Sequence, residues 1–287
     1  MKLNALLLSS LLLLFVSCKK DNGTVSPQVP QVLSASTMLN VAYGADPAQK
    51  MDVYLPVART ATTTPTIIMI HGGAWTSGDK TDFAAYIDTL QRRLPGYAII
   101  NINYRLATFA GANLFPTEET DVKAAVDYIF GKKAEYVIAD KFIMMGASAG
   151  GHLALLQAYK NASPSVKAVV DFFGPTDMAD MYNNPASASA PPAGIALLMG
   201  GAPPSALYTS SSPINFVSTT SPPTIILQGG VDQLVRVQQS TTLRDKLILN
   251  GRAEQYIYYP TEGHGWVGAD LSDSFDKIQA FLTLYVQ

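Results

Sequence analysis

The chain has 287 residues, with 20 lysines and arginines against 22 aspartates and glutamates, a formal charge of −2. This balance, with no basic block longer than a pair, gives no electrostatic footprint for a nucleic-acid partner. A hydrophobic content of 48% excludes a disordered chain and suffices for a sizeable core, in one large α/β domain or two small ones.

At the N-terminus, Lys2 precedes an apolar run, Ala5 to Val16, too short to span a bilayer. Ser17 and Cys18 follow, and Cys18 is the chain's single cysteine. The pattern resembles a bacterial lipoprotein signal, in which residues 1–17 are removed and Cys18 is lipidated; an ordinary secretory leader with an incidental cysteine is the alternative. The expectation is an exported lipoprotein of the bacterial cell envelope, touching the membrane through its lipid anchor alone. Lys19-Lys20-Asp21 resembles the charged export tags of some surface lipoproteins. No cysteine then remains to form a disulfide. Residues 18–36 are polar and aperiodic and read as a tether to a domain over 37–287.

Leu39 to Tyr43 and Lys50 to Leu55 alternate apolar and polar around Gly44-Ala45-Asp46-Pro47, which predicts a β-hairpin. Thr66 to Ile70 is a continuous apolar run suited to a central parallel strand, ending in His71-Gly72-Gly73-Ala74-Trp75. A helix is expected over Asp82–Leu94, a strand over Tyr97–Ile102 and a helix over Thr117–Phe130. Phe142 to Met145 reads as a buried strand that turns at Gly146-Ala147-Ser148-Ala149-Gly150 into a helical pattern. Val166 to Phe172 is a further strand. Residues 176–223 then break the pattern with Pro-Pro pairs and runs of Ser and Ala, leaving one small helix near Ile195–Met199. A long irregular insert in such a domain is usually functional, and this one reads as a cap or lid over the site. A strand at Thr224–Gln228, a helix at Val237–Leu249, a strand at Glu254–Tyr259 and a helix at Ser272–Tyr285 complete the chain. The alternation means an α/β fold with a mostly parallel sheet and right-handed crossovers.

Within a strand-to-helix turn, G-x-S-x-G places a serine hydroxyl above the sheet, beside the N–H groups that open the helix. Ser148 is therefore the candidate nucleophile. Such a serine needs a base, and the base needs an orienting carboxylate. Of three histidines, His71 lies in a glycine loop and His152 one turn into the helix, pointing down its side as a packed residue. His264, between glycines after the last strand, is the base. Asp232 follows the penultimate strand and gives the chain order Ser148, Asp232, His264. Asp177, after the preceding strand, is the competing acid. The His71 loop is suited to an oxyanion hole, with donors from Gly73 and Ala74, from Gly72 as a third, and from Ala149. Trp75, Trp266 and Tyr208 read equally as sugar platforms lining the substrate pocket or as ordinary packing. No group of His, Cys and carboxylates has metal-ligand spacing, so neither a metal nor another cofactor is expected.

His71-Gly-Gly-Ala-Trp75, Asn103-Tyr-Arg-Leu106, Phe115-Pro116 before a helix with Asp121, Gly146-Ala-Ser-Ala-Gly-Gly-His-Leu153, Gly229-Gly-Val-Asp232 and Gly263-His-Gly265 occur in order. Together they resemble the α/β-hydrolase esterases related to hormone-sensitive lipase, above all their small bacterial carboxylesterase branch with acetyl-xylan and feruloyl esterases. The likeness covers about 38–285. It implies the α/β-hydrolase fold and hydrolysis of a small ester or acylated carbohydrate, acetyl being the preferred acyl group. Ala74 replaces the third glycine of the common His-Gly-Gly-Gly form. Tyr104-Arg105 and Asp121 are expected to brace the site loops. Two rival readings are a serine peptidase of the prolyl-oligopeptidase type and a non-catalytic surface binder on the same scaffold.

Overall fold

The apolar runs are the strands, and their composition follows from burial on both faces. In the computed structural model, which describes residues 32–287, Leu33–Gln287 forms one unit. The predicted leader 1–17, Cys18 and most of the tether lie outside the described residues.

In chain order the elements are β1 (Ser36–Ala42), β2 (Lys50–Leu55), β3 (Thr66–Ile70), a 3₁₀ turn (Lys80–Phe83), α1 (Ala84–Arg93), β4 (Ala98–Ile102), α2 (Thr117–Gly131), α3 (Lys133–Tyr136), β5 (Phe142–Ala147), α4 (Ala149–Tyr159) and β6 (Val166–Phe172). The insert follows as α5 (Met178–Asn183), α6 (Pro192–Leu198), α7 (Ala206–Ser210) and a 3₁₀ turn (Pro213–Phe216). Then come β7 (Thr224–Gly229), α8 (Val237–Leu249), β8 (Glu254–Tyr259) and α9 (Gly268–Tyr285). One eight-stranded sheet runs in the order β1-β2-β4-β3-β5-β6-β7-β8. β1 and β2 form the antiparallel hairpin, β2 meets β4 antiparallel, and every later pairing is parallel. This is the α/β-hydrolase fold expected from the sequence.

Successive residues of the central strands serve opposite cores. Ile68, Ile70, Ile100, Met144, Val169 and Ile226 face the layer holding Val122 and Val126 of α2, Leu153 of α4 and Leu243 of α8. Ile67, Met69, Ile99, Ile143, Val170 and Ile225 face Ile87 and Leu90 of α1 and Phe275 and Ile278 of α9. A strand buried on both sides has no polar face to alternate, which is why these segments read as unbroken apolar runs.

The insert is more ordered than its sequence suggested. The small helix expected near Ile195–Met199 is α6, two further short helices, α5 and α7, flank it, and Ile195, Leu198, Met199 and Tyr208 join the core cluster that includes α4. Helices this short hold by packing, not by intrinsic propensity. Two bonds tie the insert to loops of the domain: the Phe115 N–H donates to Leu198 O (3.1 Å) and Ser187 Oγ to Gln233 O (2.7 Å), next to Asp232 in the chain. All of α4 is buried, packed on β5, β6, β3 and α2 with the 3₁₀ turn Pro213–Phe216 beside it, which accounts for the small and apolar composition of that helix.

Candidate active site

Ser148 stands between β5 and α4 with φ 55° and ψ −122°, a conformation that residues with a side chain avoid. The Ser148 N–H donates to Phe172 O (2.8 Å) and Ser148 O accepts from the His152 N–H (3.0 Å), which pin the strained turn from both sides. Close approach demands the flanking glycines. A Cβ on Gly150 would run into the Ile70 and His71 carbonyl oxygens at the end of β3. Helix and sheet could not then meet at this distance.

The three residues separated in sequence converge. Ser148 Oγ donates to His264 Nε2 at 2.8 Å, and His264 Nδ1–H donates to Asp232 Oδ2 at 2.7 Å. Asp232 is held in turn. Its Oδ1 accepts from the backbone N–H groups of Leu234 (2.8 Å) and Val235 (2.9 Å), and its Oδ2 from Gln228 Nε2 (3.2 Å). With its carboxylate acting only as acceptor, Asp232 fixes the proton on Nδ1 and leaves the Nε2 lone pair for the serine. The His264 loop can lie this close because Gly229 has no side chain: a Cβ there would meet Glu262 O at 2.5 Å. Phe173 packs on the imidazole, ring centroids 4.6 Å apart. Sequence reasoning missed Gln228. Its amide, buried and also fixed by Ser240 Oγ (2.7 Å to Oε1), could have been noticed as a polar residue inside an apolar strand. Asp177, the competing acid, instead caps α5 by accepting from the Asp180 N–H (3.0 Å).

The His71–Trp75 loop lies against the serine. A Cβ on Gly72 would stand 3.3 Å from Ser148 Cβ. Gly73, Ala74 and Trp75 have φ 109°, 50° and 62° in succession. Among the described residues, no acceptor takes the N–H groups of Gly72, Gly73, Ala74 or Ala149, the donors expected for the oxyanion. Tyr104 braces the loop from below: its hydroxyl donates to His71 O (3.0 Å) and its ring stacks on His71 at 4.4 Å. Asp121 braces the next loop by accepting from Arg105 Nε (2.9 Å), Arg105 Nη2 (2.6 Å), the Arg105 N–H (2.9 Å) and Gln49 Nε2 (2.7 Å). Both have the structural roles expected of them.

Trp75, Trp266 and Tyr208 present no platform. All three are buried, with Trp75 Nε1 donating to His152 Nδ1 (3.2 Å), Trp266 Nε1 to Ser274 Oγ (2.9 Å) and the Tyr208 hydroxyl to Gly201 O (2.9 Å). Of the two roles considered for these aromatics, the structure gives them packing, because their polar tips reach partners inside the protein.

Asp171 lies on β6 beside Gly146, fully buried, with Oδ1 accepting from the Gly174 N–H (3.0 Å). Among the described residues no cation pairs with it. Burial raises its carboxyl from 3.8 to about 7, against the lowering effect of the Gly174 bond. The folded chain therefore keeps this proton where the unfolded chain releases it. The associated stability is fully present below about pH 4 and is lost as pH rises through about 7. Asp171→Asn, which does not titrate, is expected to gain a few kcal/mol on the wild type between pH 4.5 and 8, read from urea unfolding. A difference that stays flat across that range contradicts the buried neutral carboxyl.

Residues 51–247 match the BD-FAE family. The chain belongs to that family. It is 27% identical to esterase LipC of Mycobacterium tuberculosis over 244 residues, which are 79% of this chain and 59% of that protein. It is 28% identical to a truncated carbohydrate esterase from gut microbiota, with a TM-score of 0.71, over 88% of this chain and 96% of the other. A bifunctional GH43-CE protein of Bacteroides eggerthii is 27% identical with a TM-score of 0.71, over 85% of this chain and 38% of that one. This BD-FAE chain thus spans about half the length of the curated relatives it matches.

Proposed function

We propose that this protein is a serine carboxylic-ester hydrolase that removes short acyl groups, acetyl above all, from carbohydrate. The continuous bonding of Ser148, His264 and Asp232 supports the reading most strongly. In the first step Ser148 Oγ attacks the ester carbonyl carbon while its proton passes to His264 Nε2. Asp232 stabilises the imidazolium through Nδ1–H. The negative charge on the former carbonyl oxygen meets the free N–H groups of Gly73, Ala74 and Ala149. Collapse breaks the bond to the alcohol, which leaves with the proton from Nε2. Water then attacks the acyl-serine, giving its proton to Nε2, and the second collapse returns that proton to Ser148 Oγ and frees the acid. Ala74 can serve as well as glycine because its N–H acts, not its side chain.

The carbohydrate assignment rests on the likeness to a carbohydrate esterase over nearly all of that protein's length. The test is a panel of acetylated xylan, acetylated pectin, feruloylated arabinoxylan and an aminoacyl-prolyl anilide. Acetate release at the highest kcat/KM is expected from an acetylated glycan. Preferential release of ferulate overturns the acyl assignment. Turnover of the anilide alone overturns the esterase in favour of the peptidase.

A further inference from the structure

The first turn of α4 carries a second histidine that the acyl-transfer steps do not use. His152 is fully buried, and both of its ring nitrogens are engaged. Trp75 Nε1–H donates to Nδ1 at 3.2 Å, so Nδ1 is the acceptor and the proton sits on Nε2, which donates to Ser211 O at 2.7 Å. Burial holds the ring neutral by pushing its pKa down to about 4. One ring thus joins the glycine loop on one side to the insert on the other.

The loop needs such a tie. Two residues with side chains, Ala74 and Trp75, hold positive φ after Gly73, and the free chain would relax from that state. Backbone bonds fix the loop's outer turn, where Thr76 and Ser77 donate to Gly73 O. At its inner end the Ala107 N–H donates to Trp75 O (2.9 Å), and the Trp75 indole, set edge-on to His152 with centroids 5.3 Å apart, anchors the side chain. We propose that His152 is a positioning residue: by accepting from the Trp75 indole it sets the Gly73 and Ala74 N–H groups against the oxyanion, while Ser211 fixes the ring's other edge. This deepens the esterase reading and rests on it. Without the acceptor, a buried indole N–H is left unpaired and the ring must turn to find another. A shift near 1 Å in catalytic groups can cost about 10²-fold in rate.

The two bonds can be separated by substitution. His152→Asn keeps an oxygen near the place of Nδ1 and loses the reach to Ser211. His152→Gln keeps a donor near the place of Nε2 and loses the acceptor for Trp75. Trp75→Phe removes the indole donor while retaining a ring. On p-nitrophenyl acetate, His152→Gln and Trp75→Phe are expected to lower kcat by about tenfold to 10²-fold with KM within about twofold. His152→Asn should stay within about threefold of wild type, and the Trp75→Phe, His152→Gln double variant should match the worse single one. A merely structural role would lower the melting temperature of all variants and leave the split between Asn and Gln absent. Equal kcat losses in His152→Asn and His152→Gln, additive losses in the double variant, or wild-type kcat in Trp75→Phe overturns the positioning role. Full activity in Ser148→Ala overturns the esterase reading instead.

Discussion

Ser148→Ala is expected to lower kcat on p-nitrophenyl acetate by on the order of 10⁵–10⁶, the loss seen when a triad nucleophile is removed. The fold should survive the change. The Ser148 side chain caps no helix, and among the described residues its one polar contact is the 2.8 Å bond to His264. Alanine keeps the same Cβ at φ 55°, so the elbow strain is unchanged. The residual rate should remain above that in water, because the loop N–H groups still bind the developing oxyanion. In the proposed mechanism Asp232 matters for another reason: fixed by two backbone donors and Gln228, it would select the His264 tautomer that can take the serine proton. Turnover above 1% of wild type in Ser148→Ala, in protein free of wild-type contamination, contradicts the nucleophile assignment.

Gly150→Ala carries the largest expected effect on stability. The added Cβ would press on the Ile70 and His71 carbonyl oxygens, which belong to the centre of the sheet and cannot turn aside as a flexible side chain would. Relief requires α4 to move off β3, opening the apolar layer that Leu153 and Ile70 share. A loss of about 3–5 kcal/mol is expected, a large part of the stability of an ordinary domain. Gly131→Ala is the control. Gly131 ends α2 with no atom of the described residues within 4 Å of a new Cβ and no positive φ, so alanine there should be neutral or stabilise by about 0.4–1 kcal/mol. Urea midpoints for the two variants measure the contrast. A Gly150→Ala midpoint within error of wild type contradicts the account of the elbow.

The strands and the elbow were legible because burial on both faces writes an unbroken apolar run, and because G-x-S-x-G between such a run and a helical pattern matches the sharp turn that glycines permit. β3, β6, α8 and β8 were recoverable nearly residue for residue on this basis. Chain order placed Asp232 and His264 at the same rim, but order alone could not reject Asp177; the helix cap it makes through Asp180 did. The insert was legible only at α6. Its other helices are short, separated by proline-rich stretches and stabilised by packing on one another and on the core, which no local period records. His152 is the sharpest example. Helical geometry told that it points away from Ser148, yet its partners Trp75 and Ser211 lie 77 and 59 residues off along the chain. The aromatic residues posed the same problem, since an aromatic ring in a sequence looks alike whether it lines a pocket or fills a core.

The proposed esterase activity depends above all on activation of Ser148 by His264. It is tested most directly by treating the folded protein with a fluorophosphonate and mapping the adduct by peptide mass, alongside His264→Ala under the same conditions. A single adduct on Ser148 is expected, with labelling slowed by several orders of magnitude in His264→Ala. An adduct on another residue, or equal labelling rates in the two proteins, contradicts it.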